Sequence, residues 1–150
     1  MSEEKIIVRP VSLNDEEDWK RLWKHYQEHY EVHLSEEVAE RNFKNFLEPG
    51  VEMWAAIAIN TETGVPIGMV NYLHHLTTWD IRGKMLLHDL FVEEGSRIKG
   101  VGRKLMEYVF HEADKMGIEI VYWTTDHYNH RAQLLYTKIG HKNSKVIYER

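Results

Sequence analysis

The stretch that most constrains the fold runs from Met85 to Met116. It begins as an apolar strand pattern, MLLHDLFV, and passes through a basic, glycine-bearing loop, SRIKGVGRKL. It ends on Val101, Leu105, Tyr108, Val109, Ala113 and Met116, a stripe at helical spacing that is apolar apart from Glu112. Gly117 stands where such a helix closes, and a β-rich run, IEIVYWTT, follows. A strand, a helix and a second strand in this order predict one sheet with the helix packed on its face.

The rest of the chain must complete that sheet. KIIVRPV reads as a short strand. From Asn14 the apolar positions Trp19, Leu22, Trp23, Tyr26 and Tyr30 recur at helical spacing, with Asn14 or Asp15 as the cap. A second helix is predicted from Ser35, its cap, to Leu47, with EPG ending it. EMWAAIAIN and PIGMVNYLHHLT flank the turn residues TETG and read as a hairpin; DIRGK turns the chain into the strand Met85–Val92. After the β-rich run, NHRAQLLYTKI reads as a helix opened by Asn129 and closed by Gly140, and SKVIYE as a last strand. The predicted order is β-α-α-β-β-β-α-β-α-β, an α/β chain with a mixed sheet and helices on both faces. No repeat or linker divides residues 1–150, which fit a single domain.

Composition removes whole classes of chemistry. The absence of cysteine excludes disulfides, thiolate metal sites and a cysteine nucleophile. The N-terminus lacks the basic-then-apolar pattern of a signal peptide, and no apolar run reaches membrane length, so the expectation is a cytoplasmic or nucleocytoplasmic protein without a membrane partner. The formal charge of −5 lies entirely in the first fifty residues, which carry 12 acids against 7 bases, while Gly95–Lys104 alone is +4. That layout suits an anionic ligand at the loop and a cationic one near the acidic segment, and it argues against a nucleic-acid partner.

The glycine loop matches neither common nucleotide fingerprint. GxxxxGK[ST] is absent, and GxGxxG fails because Leu105 stands where the third glycine belongs. What remains is a basic residue, two spacers, Gly100, one spacer and Gly102 at a strand-to-helix junction. First-turn N–H groups and the helix dipole favour an anion there, and missing Cβ atoms let it approach closely. On spacing alone, a diphosphate site and an ordinary left-handed turn dressed with solubilising bases are both open.

RIKGVG fits the R/Q-x-x-G-x-G/A pattern of the GNAT N-acetyltransferases, HDLFVEEGSRIKGVGRKL resembles that family's strand-loop-helix core, and NHRAQLLYTKIG resembles its later asparagine-to-tyrosine helix. The element order is also the family's, so the resemblance spans essentially the whole chain. Within the family, WKRLWKHYQEHYE and YWTTDHYNHRAQLLYTK are similar to yeast members that act on histones, polyamines and D-amino acids.

The resemblance implies a GNAT fold with a mostly antiparallel sheet and acetyl-CoA as cosubstrate, with no metal. It implies a pyrophosphate site at Arg97, Ile98, Lys99, Gly100, Val101, Gly102, Arg103 and Lys104, with Asn129 also on the cofactor side. Leu90, Phe91 and Val92 would supply backbone groups for the pantetheine arm and the oxyanion. Tyr136, seven residues after Asn129, takes the general-acid position by that resemblance; helix spacing alone favours a core aromatic beside Leu135 and Ile139. The implied acceptor is a small amine or a lysine side chain, with Tyr26, His75 and Trp79 as pocket walls, and the implied assembly is a homodimer through the C-terminal strand. A CoA-binding regulatory module without turnover is the alternative.

Three further readings concern polar side chains. His88, four positions before Val92, is a candidate base, because an imidazole near its ordinary pKa of about 6.5 can take a proton from an ammonium; the alternative is a half-buried strand histidine. Asp89 reads as structural. His25, His29 and His33 recur four apart, but HYEVH is not HExxH, so a solvated or substrate-facing helix edge is expected there rather than a metal.

Overall fold

The computed structural model describes residues 5–96, 98–126 and 128–150, so Arg97 of the basic loop and His127 beside Asn129 lie outside the described residues. In chain order the elements are β1 (Ile6–Pro10), a 3-10 turn (Leu13–Asp15), α1 (Glu16–His29), α2 (Glu36–Leu47), β2 (Met53–Asn60), β3 (Pro66–His75), β4 (Lys84–Val92), α3 (Val101–Lys115), β5 (Ile120–Tyr122) and α4 (His130–Ile139). The strands form one sheet in the order β1-β2-β3-β4-β5, antiparallel up to β4 and parallel between β4 and β5.

Strand alternation sorts side chains onto the two faces. In β2, Ala56 and Ala58 join a core beneath α3 with Val70, Tyr72, Leu105, Met106 and Val109. Ala55 and Ile57 join an aromatic core under α1 and α2. There Trp19 is fully buried, stacked on Trp23 at 5.3 Å and set edge-on to Phe46 at 5.1 Å. The small residues on the α3 face let the helix approach closely. A Cβ on Gly68 would stand 3.1 Å from both the Leu105 side chain and the Phe91 carbonyl oxygen, so glycine at that point lets α3 pack closely on β3.

Helix ends follow local chemistry. Gly100 caps α3 with φ 85°, a left-handed conformation that glycine adopts without strain. At the other end Gly117 donates to the Asp114 carbonyl and Ile118 to the Ala113 carbonyl, the paired bonds of a Schellman stop. Asp15 does precede α1, but its carboxylate turns back to accept from the Ser12 N–H at 2.7 Å and from both Arg9 guanidinium nitrogens at 2.7 and 3.0 Å. Ser35 stands at the start of α2 without a side-chain cap bond.

The Arg9 bonds hold the Asp15 carboxyl down at about 2. A carboxyl whose folded pKa is depressed stabilises the fold above its unfolded pKa of about 4, and loses that contribution as pH falls through the folded value. Asp15→Asn is therefore expected to cost about 2 kcal/mol at neutral pH. Urea titrations at pH 7 and pH 2.5 check this: the gap between variant and parent should shrink at the lower pH.

Two expectations are corrected. SKVIYE forms no strand: residues 141–150 have no regular secondary structure and are exposed, with Val146, Ile147 and Tyr148 at the surface. A strand needs a ladder partner, and the short β5 at the sheet edge does not provide one here. The IEIVYWTT run likewise pairs only over Ile120–Tyr122, against Lys84–Leu86. Beyond that point β4 continues to Val92 while the chain after β5 turns away, and this separation opens the site.

Candidate active site

The gap between β4 and the segment after β5 is a cleft of about 360 Å³. Leu87, His88 and Leu90 form the β4 wall, Trp123 to Asp126 the opposite wall, Tyr26 and Tyr30 of α1 one side, and Tyr136 of α4 another. The cleft therefore unites Tyr136, His88, Leu90 and Tyr26 of the residues singled out from sequence.

A β-bulge shapes the β4 wall. Asn71 lies opposite Asp89 and Tyr72 opposite Leu87, which leaves His88 as the extra residue. The bulge shifts the alternation by one position. Met85 and Leu87 face the α3 core, whereas after the bulge Phe91 faces the α1 side and Leu90 and Val92 face α3.

The same alternation sorts the backbone. Glu93 donates its N–H to Ile67 of the β3 side, and the Phe91 carbonyl faces Gly68 there. Leu90 and Val92, out of phase with these, direct their N–H and C=O groups toward the gap, where no strand pairs with them among the described residues. An extended ligand arm entering the gap meets free backbone donors and acceptors at Leu90 and Val92, not at Phe91.

The glycine loop lies at the end of β4. Lys104 donates the first helical bond of α3, to the Gly100 carbonyl at 3.0 Å, so the N–H groups of Val101, Gly102 and Arg103 have no helical acceptor. A Cβ on Gly100 would meet nothing within 4 Å, and one on Gly102 only Val92 Cγ2 at 3.9 Å. The backbone is thus bare on its open side, a cradle that fits a diphosphate. Lys99 and Arg103 are exposed, with Arg103 paired to Glu107 at 2.9 Å; Ile98 packs against the sheet and Lys104 is half-buried.

The tyrosine at 136 is half-buried against Trp123, with ring centroids 5.5 Å apart. Burial, with a smaller push from Tyr30, raises its pKa, and a hydrogen bond with Thr125 opposes the rise. It therefore keeps its proton through neutral pH. Asn129 caps α4, accepting from the Ala132 N–H at 3.2 Å, which sets the helix that carries Tyr136.

The other residues stand apart from the cleft. His75 bonds the Tyr122 hydroxyl at 2.7 Å at the far end of β3, and Trp79 is 87% exposed in the β3–β4 loop. His25 contacts Glu93 at 2.6 Å and His29 contacts Glu94 at 3.3 Å, which ties α1 to the end of β4. No group of three or more His, Asp or Glu side chains able to hold a metal occurs among the described residues. Sequence reasoning did not find Tyr30, Thr125 and Asp126. The change from the apolar IVYW to TTD was the available signal that the chain leaves the sheet there.

Known proteins match this arrangement. The acetyltransferase (GNAT) family model matches residues 19–141. The chain is 49% identical over 150 residues to the D-amino-acid N-acetyltransferase HPA3 of Saccharomyces cerevisiae, covering 100% of this chain and 93% of that protein. It is 28% identical over 88 residues to the uncharacterised N-acetyltransferase YhfO of Bacillus subtilis, 59% of each chain. Among solved structures, the aminoglycoside acetyltransferase AAC(6')-Iy in complex with a CoA bisubstrate analogue superposes with a TM-score of 0.84 over 98% of both chains, at 18% identity. A ribosomal-protein-alanine N-acetyltransferase from Brucella melitensis reaches 0.81 over 98% of this chain and 99% of its own, at 14% identity. At these identities the two structures speak for the fold, and the family model and the yeast relative speak for descent: this chain belongs to the GNAT family of acetyltransferases.

Proposed function

We propose that the protein moves the acetyl group of acetyl-CoA to the amine of a small acceptor, a D-amino acid foremost, by direct attack. The carrying observation is the placing of Tyr136 and His88 around one cleft, with the bare first turn of α3 beside Val92 at the end of the strand that walls it. Identity over the full length to a D-amino-acid N-acetyltransferase supports the acceptor class.

The chemistry needs three things, and the chain's own groups supply each. An ammonium acceptor must lose a proton, which His88 takes. The neutral nitrogen then attacks the thioester carbonyl, and the oxygen's developing charge is met by the free N–H at Leu90. As the C–S bond breaks, the Tyr136 phenol protonates the departing thiolate, and the second proton that the acylated nitrogen sheds returns to the Tyr136 phenolate, leaving an N-acetyl product, free CoA and a protonated His88 that gives its proton to solvent. The N–H groups of Val101, Gly102 and Arg103 hold the diphosphate, and Lys99 adds charge.

A second acceptor reading has its own support. Asp126 is the acidic side chain on the cleft wall, and no lysine or arginine lines that cleft among the described residues. Such a wall suits a polyamine or a lysine ammonium. The exposed Val146, Ile147 and Tyr148 at the C-terminus are also the segment through which we propose a second copy pairs.

An acceptor panel decides between these readings. D- and L-forms of the same amino acids, spermidine and a lysine-bearing peptide are incubated with acetyl-CoA, and N-acetyl product is read by mass spectrometry. Acetylation of the D-forms in preference to the L-forms is expected. Acetylation of spermidine alone would move the assignment to polyamines, and acetyl-CoA binding without any product would leave a regulatory module.

A further inference from the structure

We infer that Asp89 is the positioning residue for His88, fixing its tautomer so that Nε2 carries the lone pair that takes the acceptor's proton. The inference rests on the acetyl-transfer reading above and deepens it. It begins from an oddity of β4: a carboxylate in the sequence LHDLF, inside an apolar strand, with its side chain only 8% exposed. A buried charge is strongly unfavourable unless donors surround it.

The donors form a chain whose directions are determined. Trp19 Nε1 can only donate, and it bonds Asn71 Oδ1 at 3.0 Å. That settles the amide orientation, so Asn71 Nδ2 must be the group donating to Asp89 Oδ2 at 3.0 Å. Tyr26 gives its hydroxyl to the same carboxylate. The remaining oxygen, Oδ1, lies 3.0 Å from His88 Nδ1. A carboxylate only accepts, so Nδ1 is the protonated nitrogen and Nε2 is left as the base.

Sequence neighbours on a strand normally point to opposite faces, so a histidine and the next residue's carboxylate would not meet. Here they meet because His88 is the extra residue of the bulge. Asp89 stays inside, opposite Asn71, while the His88 side chain is 59% exposed on the cleft wall. The bulge thus aims a base into the site and gives it a buried partner.

The titratable groups facing the His88 side of the cleft are Asp89 on its own strand, Tyr26 and Tyr30 from α1, Asp126 after β5 and Tyr136 from α4. Both hydroxyls of α1 are pushed upward by burial first and by the Asp89 charge next or among the further causes, so they stay neutral. The bond to Asp89 raises the His88 pKa against the opposing effect of burial. Because the neutral imidazole is the active form, activity should rise with pH through a midpoint above about 6.5.

The test joins histidine-labelled NMR of the intact protein to kinetics on two variants. In the unaltered protein above its titration, His88 should carry its proton on Nδ1, a result that needs no variant to fold. In Asp89→Asn an amide faces Nδ1, so the proton should move toward Nε2, the midpoint of the acid limb should fall, and kcat/KM at neutral pH should drop about 100-fold. In His88→Asn the loss should be similar, and the double variant should lose no more than either single one. A partner that merely holds the fold would lower the melting temperature, leave the acid limb in place and add its loss to that of His88→Asn. That outcome, or an Nε2–H tautomer in the unaltered protein, overturns the inference while acetyl transfer stands. No turnover in the unaltered protein with any acceptor overturns the acetyl-transfer reading itself.

Discussion

Tyr136→Phe is expected to lower kcat by about two to four orders of magnitude, with acetyl-CoA affinity changed less than threefold. The variant removes one oxygen and keeps the ring that packs on Trp123. Helix α4 should persist, because its start depends on Asn129 and its apolar contacts on Leu135 and Ile139. In the proposed reaction the lost oxygen is the donor that protonates the thiolate. Since burial holds the phenol's pKa above its ordinary value, the parent enzyme should show no loss of this acid below about pH 10. Steady-state rates and equilibrium binding measured on the same preparations check the split. An unchanged kcat would remove Tyr136 from the chemistry.

Gly102→Asp should do the reverse, weakening acetyl-CoA binding by about 100-fold or more while the fold is unharmed. Gly102 sits in the first turn of α3, where a Cβ would meet only Val92 Cγ2 at 3.9 Å. Aspartate in a first turn is favoured by the dipole and replaces the most flexible residue, so the melting temperature should hold or rise. Its carboxylate would nevertheless stand beside the proposed diphosphate. Two like charges about 4 Å apart repel by about 4 kcal/mol at an effective dielectric of 20, and each 1.4 kcal/mol is about a factor of ten. Calorimetric titration with acetyl-CoA beside a thermal melt separates the two effects. A variant that melts normally and binds normally would show that the diphosphate lies elsewhere.

Local devices were legible in the sequence because their causes are local. Gly100 and Gly102 at a helix start, Gly117 at its end and Asn129 at the next helix each act within one turn of the chain. The hairpin of β2 and β3 and the crossover through α3 followed from period and turn chemistry. What escaped depends on pairing across the sheet. The bulge at His88 follows from Asn71 lying opposite Asp89, eighteen positions away in sequence, and nothing in LHDLF alone announces it.

For the same reason Asp89 read as structural, although it contacts the candidate base. The shortness of β5 reflects the separation from β4, which opens the cleft; an alternating run such as IEIVYWTT looks the same whether or not a partner continues beside it. SKVIYE shows that limit in full, for an apolar alternating segment forms a strand only where an edge can receive it.

In the proposed complex acetyl-CoA enters between β4 and β5, with its diphosphate on the first turn of α3 and its thioester beside Tyr136. A crystal structure of the protein with acetyl-CoA tests that placement directly. It should show diphosphate oxygens on the N–H groups of Val101, Gly102 and Arg103, the arm alongside Leu90 and Val92, and the sulfur within hydrogen-bond reach of the Tyr136 hydroxyl. Acetyl-CoA seated wholly in the cavity of about 1010 Å³ that Lys5, Asn60, Ile67 and the loop residues Ile98, Lys99 and Lys104 line, with its sulfur out of reach of Tyr136, would contradict it.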